Sequence, residues 1–270
     1  MKRLTAALPA LTMAALALAL LVHGPIPQWP GYHDFADLRM LAGIPRAADV
    51  LSNVGFAVVG IVGLVVLNFR GGQCALGAAW SGYAMFLVAL VLTALGSGFY
   101  HLVPDNARLV WDRLPVALAC AGLLAGVRAD THADGRAHAV AAALAVAAIA
   151  SVLWWHVAET RGQGDLRPYI LIQAAPLLLV PLWQARARAP RADRLAFGAA
   201  LVLYLVARAA ELNDRAVFDA LGWISGHTIK HLLATCAAAV IVARLVARSR
   251  ARSQIPAAPR LSSPHPLRTP

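Results

Sequence analysis

Charge is what this sequence has least of. Only 14% of its 270 residues are Asp, Glu, Lys or Arg, against about 25% in soluble domains. That little polarity cannot clothe a water-soluble domain of this size. A soluble enzyme is excluded, and so is a disordered chain. Cysteine is nearly missing too. Cys74, Cys120 and Cys236 each lie in or beside an apolar stretch, and none forms a C-x-x-C pair. No disulfide framework and no thiolate metal site follow from that spacing, and all three read as small buried hydrophobes. The alternating pattern of a membrane barrel is absent, and no internal repeat is visible.

What remains is apolar. Hydrophobic residues make up 60% of the chain, and mean hydropathy is +0.64. Stretches almost free of charge cover 4–22, 51–69, 74–101, 109–127, 137–158, 168–185, 195–210 and 223–243. Each is close to the ~20 residues that a spanning helix needs. The expected fold is all-α: a polytopic membrane protein with a seven-helix bundle and an extra N-terminal hydrophobic helix. Residues 1–23 read as an anchor in preference to a cleaved signal, because His23, Pro25 and Pro27 make a poor cleavage site. An outer loop at 24–48, a core at 49–247 and a disordered basic tail at 248–270 complete the division.

A net charge of +11 would suit nucleic acid, but its distribution does not. Arg186, Arg188, Arg191 and Arg194 share one loop, and Arg244, Arg248, Arg250, Arg252, Arg260 and Arg268 close the chain. Arginine beside apolar spans marks the cytoplasmic side. Both termini are expected in the cytoplasm of a bacterial inner-membrane protein. The loops at 24–48, 102–110, 159–167 and 211–222 are then periplasmic.

Ionisable residues inside spans are costly and point to function. Ser97 and His101 are four residues apart, on one helix face, and His227 and His231 repeat that spacing at the start of the last span. Three imidazoles from two helices can meet at one membrane level. Three neutral imidazoles with one open position make a catalytic zinc site. Asp112, in the first turn of the following span, returns to that level as a proton acceptor. A lone histidine at a helix end is usually an ordinary hydrogen-bonding residue, and His23, His33, His132, His138 and His156 are given no role. The weight lies in the coincidence of S-x-x-x-H, Asp and H-x-x-x-H on one side. The Gly96-Ser97 context does not match the nucleophile of a rhomboid-type serine protease.

Ser97-Gly-Phe-Tyr-His101, Trp111-Asp112-Arg113-Leu114-Pro115 and Ser225-Gly-His-Thr-Ile-Lys-His231 resemble the alkaline ceramidase family, in a bacterial branch. The wider superfamily includes adiponectin/progestin-type receptors. The resemblance spans about residues 30–245. It implies that His101, His227 and His231 bind zinc, that Asp112 activates water, and that Ser97 holds the water or the oxyanion. The implied reaction cleaves the amide of ceramide-like N-acyl lipids drawn from the bilayer, giving a fatty acid and a sphingoid base. The alternative is a receptor-like or haemolysin-like member without that activity, or a protein whose histidines hold haem or another metal. No obligate protein partner and no nucleic acid is implied.

Asp34, Asp37 and Asp49 form a second acidic group, with Asn53 nearby. Eukaryotic alkaline ceramidases carry calcium in the equivalent stretch, and carboxylates suit that hard cation. Arg39 and Arg46 interrupt the pattern here. Asp49 also reads as a cap in the turn before Leu51, and the sequence leaves both readings open. Glu211 and Asp214 are expected to pair with Arg208 and Arg215.

Overall fold

A computed structural model describes residues 2–69 and 72–253. Over these residues the chain is all-α, without a strand. Helices α1 (Lys2–His23), α2 (Ala47–Ser52), α3 (Val54–Phe69), α4 (Gly72–Leu76), α5 (Trp80–Leu102) and α6 (Asn106–Thr131) form the first half. The second half holds α7 (Ala137–Thr160), α8 (Arg167–Arg186), α9 (Arg191–Leu212), α10 (Asp214–Leu221) and α11 (Gly226–Ser253).

Among the described residues, seven helical stretches are long and apolar enough to cross a membrane. They are Ala47–Phe69, Gln73–Leu102, Asn106–Thr131, Ala137–Thr160, Arg167–Arg186, Arg191–Leu212 and Gly226–Ala251. The protein is an integral membrane protein. At 1.5 Å per residue, 20 residues cover about 30 Å, the thickness of the hydrocarbon layer. The apolar part of α1, Ala7–His23, is shorter than any of the seven. Helix α1 lies outside the bundle against α8.

Lipid tails give apolar helices no reason to associate with one another, so close packing must do it. Helices α5 and α6 show how. A Cβ on Gly82 would collide with the backbone at Gly126, and one on Gly96 with the carbonyl of Trp111. Glycine at these positions lets the two backbones touch. Gly60 and Gly63 bring α3 against Leu87 of α5 in the same way. Many large apolar side chains point outward, among them Leu95, Trp111, Val146, Trp154, Leu195 and Val202. Such a surface belongs in lipid.

Several boundaries differ from the sequence expectation. Helix α6 starts at Asn106, capped by the Asp105 carboxylate, which accepts from Arg108 N at 2.7 Å. Asp112 therefore stands in the second turn, not the first. Asp49 is no cap: α2 begins at Ala47, after Arg46 in a left-handed conformation (φ 47°), and Asp49 is buried inside it. Helix α11 runs on through Arg248 to Ser253, so the expected tail is helical at its start. The remainder, 254–270, lies outside the described residues, as does Arg70. The cysteines are not all buried: Cys74 and Cys236 are exposed and Cys120 is half-buried. In a bilayer an exposed thiol can face lipid, so it need not be in the protein core.

Candidate metal centre

The C-terminal turn of α5 and the N-terminal turns of α11 meet at one end of the bundle. They bring His101, His227 and His231 together, all three buried, with one ligand atom of each within 4.8 Å of the others. The ring centroids form a triangle with sides of 4.8, 5.1 and 4.8 Å. His227 Nε2 lies 3.2 Å from His101 Nε2. Two nitrogens at 2.0–2.1 Å from one tetrahedral ion stand about 3.3–3.4 Å apart, so the donor set fits a metal ion. Among the described residues it is the one group of three His, Cys, Asp or Glu side chains with that convergence.

Neighbouring residues hold the rings in place. His231 Nδ1 donates to Ser52 Oγ at 2.8 Å, and Ser52 Oγ donates to Asp49 O at 3.1 Å. That chain fixes the tautomer and leaves His231 Nε2 as the lone pair. Arg46 donates to the carbonyls of His101 (2.8 Å) and Leu102 (2.7 Å), closing the end of α5. Phe35 lies edge-on over the rings of His101 (4.7 Å) and His227 (4.5 Å) and covers the site.

The start of α11 is pinned from several directions. Ser225 Oγ accepts from Thr228 N at 3.0 Å as an N-cap. Thr228 Oγ1 donates to Asp49 Oδ1 at 2.6 Å. Asp214 does not pair with Arg215 as expected. Its Oδ1 accepts from His227 N at 2.7 Å, and its Oδ2 from Ala36 N at 2.8 Å. A carboxylate at a helix N-terminus satisfies a free N–H and suits the dipole.

Ser97 is buried on α5, one turn before His101. The close contact at Gly96 sets α6 beside it, and the Ser97 hydroxyl reaches the Asp112 carboxylate. Lys230 was not singled out from the sequence. Its Nζ lies 3.0 Å from His227 Nε2 and donates to Glu211 Oε1 at 2.9 Å. Glu211 also pairs with Arg208, as expected. A lysine inside an apolar span, three residues from a candidate ligand, was a legible signal.

The three aspartates of the acidic group do not come together. Asp34 is exposed. Asp37 is buried and held by both arms of Arg39, at 2.8 and 2.6 Å. The Arg39 guanidinium keeps its carboxyl below the usual carboxylate range. Asp49 serves α11. Its Oδ2 and Asn53 Oδ1 are both buried without a protein partner. His33 has a clear structural task, bridging Tyr100 Oη (2.8 Å) and Asn106 Oδ1 (2.9 Å).

A cavity of about 370 Å³ lies beside the site among α3, α5, α6, α8, α9 and α11. Its lining is mainly apolar and includes Phe56, Thr93, Leu123, Leu177 and Ile241. Phe56 also meets the His231 ring, at 6.5 Å. Thr93 is one turn from Ser97 on α5.

No protein-family model matches the chain, and no curated protein matches it.

Proposed function

We propose that the protein is a zinc-dependent amidohydrolase of the membrane, cleaving ceramide-like N-acyl lipids to a fatty acid and an amine. The observation that carries this reading is the buried triad of His101, His227 and His231 with Ser97 and Asp112 alongside. The adjoining apolar cavity supports a substrate with a hydrocarbon chain. The ordered motifs that resemble the alkaline ceramidases support the reaction class. Bound zinc would supply a water that is nucleophilic at neutral pH and would polarise the amide carbonyl.

The chain does the rest. The imidazoles of His101, His227 and His231 would hold the ion. Asp112 accepts the proton of the attacking water, then delivers it to the departing amine. The Ser97 hydroxyl donates to the oxygen that gains charge when the carbonyl is attacked. Phe35, over the histidine rings, keeps bulk water away. Arginines concentrate at the opposite end of the bundle, which supports a periplasmic position for the histidines in an inner membrane.

Metal content and product release, measured on the same samples, test this. His227→Ala and His231→Ala should lose zinc. Asp112→Asn should keep it, and turnover of labelled ceramide should fall roughly 10²–10⁴-fold. Ser97→Ala should keep zinc and lose about 10²–10³-fold. Full zinc in all the histidine variants would overturn the site. Zinc binding without release from any N-acyl lipid would overturn the enzyme and favour a receptor.

A further inference from the structure

The end of the bundle opposite the histidines has a cavity of its own. It measures about 360 Å³ and sits where α6, α8 and α11 end and α9 begins. Arg188, Arg244 and Arg248 line it, against Asp130 and Asp193. Three cations and two anions leave one positive charge.

The ion pairs leave donors over. Arg248 grips Asp130 with both Nη atoms, each at 2.7 Å, and Tyr83 Oη donates to the same carboxylate at 2.6 Å. Arg244 spends only Nε on Asp193, at 2.6 Å. The Arg188 guanidinium has no partner among the described residues. Its backbone is left-handed (φ 50°), a conformation that a residue with a side chain adopts at a cost and that often marks a functional site.

Gln184 joins this pocket to the apolar cavity, because it lines both. It is 5% exposed, and its carboxamide makes no hydrogen bond among the described residues. Its amide therefore faces the two cavities with its hydrogen-bonding capacity unused, and a polar ligand there gains a partner.

We propose that this pocket holds the phosphodiester head group of an anionic membrane lipid, with a chain of that lipid entering the apolar cavity past Gln184 in competition with the chain of the proposed substrate. One net positive charge matches the single negative charge of a phosphodiester. Arginine forks suit phosphate oxygens, and basic pockets between spans at the cytoplasmic level take lipid head groups. A soluble phosphate would use the arginines but leave the apolar cavity behind Gln184 unfilled.

Thermal midpoints of the full chain in uncharged detergent test this. Phosphatidylglycerol should raise the midpoint by several degrees through mass action. Diacylglycerol with the same chains, and sodium phosphate alone, should give less than a third of that shift. Arg188→Gln and Gln184→Leu, each compared with its own lipid-free midpoint, should lose at least half of it. Arg188→Lys should keep more of the shift than Arg188→Gln. An equal shift with diacylglycerol would reduce the site to chain binding, and an equal shift with phosphate to a soluble anion. An undiminished shift in both Arg188→Gln and Gln184→Leu would place the lipid elsewhere. Each of those three results overturns the proposal.

Discussion

Lys230 places an ammonium 3.0 Å from a nitrogen of the candidate metal centre. A positive charge there opposes a divalent cation, while Glu211, which it partly neutralises, attracts one. Lys230→Met should therefore tighten zinc, seen as a lower dissociation constant in competition with a chelator. The same change should lower the metal-free thermal midpoint, because Glu211 then depends on Arg208 alone. Asp165 offers a second test, outside the spans. Arg167 holds its carboxylate with two bonds at 2.9 Å, and its pKa is lowered to about 2. Since the unfolded value is about 3.9, the pair stabilises the fold above that pH and fades as pH falls toward 2. Asp165→Asn should flatten the acid limb of the midpoint-against-pH curve between those values, and should lower the midpoint by a constant amount between pH 6 and 8.

Among the elements, the hairpin of α5 and α6 matters most for the site. Its seam at Gly96 keeps Asp112 beside Ser97, although neither residue chooses that distance for itself. Gly96→Ala must push α6 away from Trp111 onward. Turnover should drop at least tenfold while zinc stays bound, since His101 and α11 do not depend on that contact. Circular dichroism should report unchanged helicity. The long elements were legible in the sequence because twenty apolar residues have few other fates. The short ones were not. Helix α10 is too polar to stand out from a loop, and α2 hides before a span because Arg46 starts it without a capping side chain. The histidine triad was readable from two i,i+4 spacings. Ser52 gives no signal in the sequence and Asp214 reads there only as a partner for arginine, because their roles depend on contacts with distant segments. Asp34, Asp37 and Asp49 are grouped by proximity along the chain, but among the described residues they do not converge as a ligand group, and Arg39 pairs with Asp37 while Thr228 donates to Asp49.

For the whole molecule, the two ends of the bundle carry different chemistry. Histidines, acids and loops rich in aromatics gather at one end. Arg186, Arg188, Arg191, Arg194, Arg244 and Arg248 gather at the other. By the positive-inside rule, the asymmetry supports the proposed orientation with the arginine end in the cytoplasm. A reporter that works only outside the cytoplasm should be silent when fused after Arg252 and active when placed near Glu159. The reverse result would invert the protein and move the histidines to the cytoplasmic face. Asp214 couples this end of the molecule mechanically. One of its oxygens holds the backbone of the segment that carries Phe35, and the other holds the backbone of His227. Among the several contacts that hold this end, that of Asp214 ties the Phe35 segment directly to the start of α11. Lifting the Phe35 segment would pull on that carboxylate, and a shift at His227 would slacken the cover. Displacement of the Phe35 cover and displacement of His227 are therefore coupled through one carboxylate.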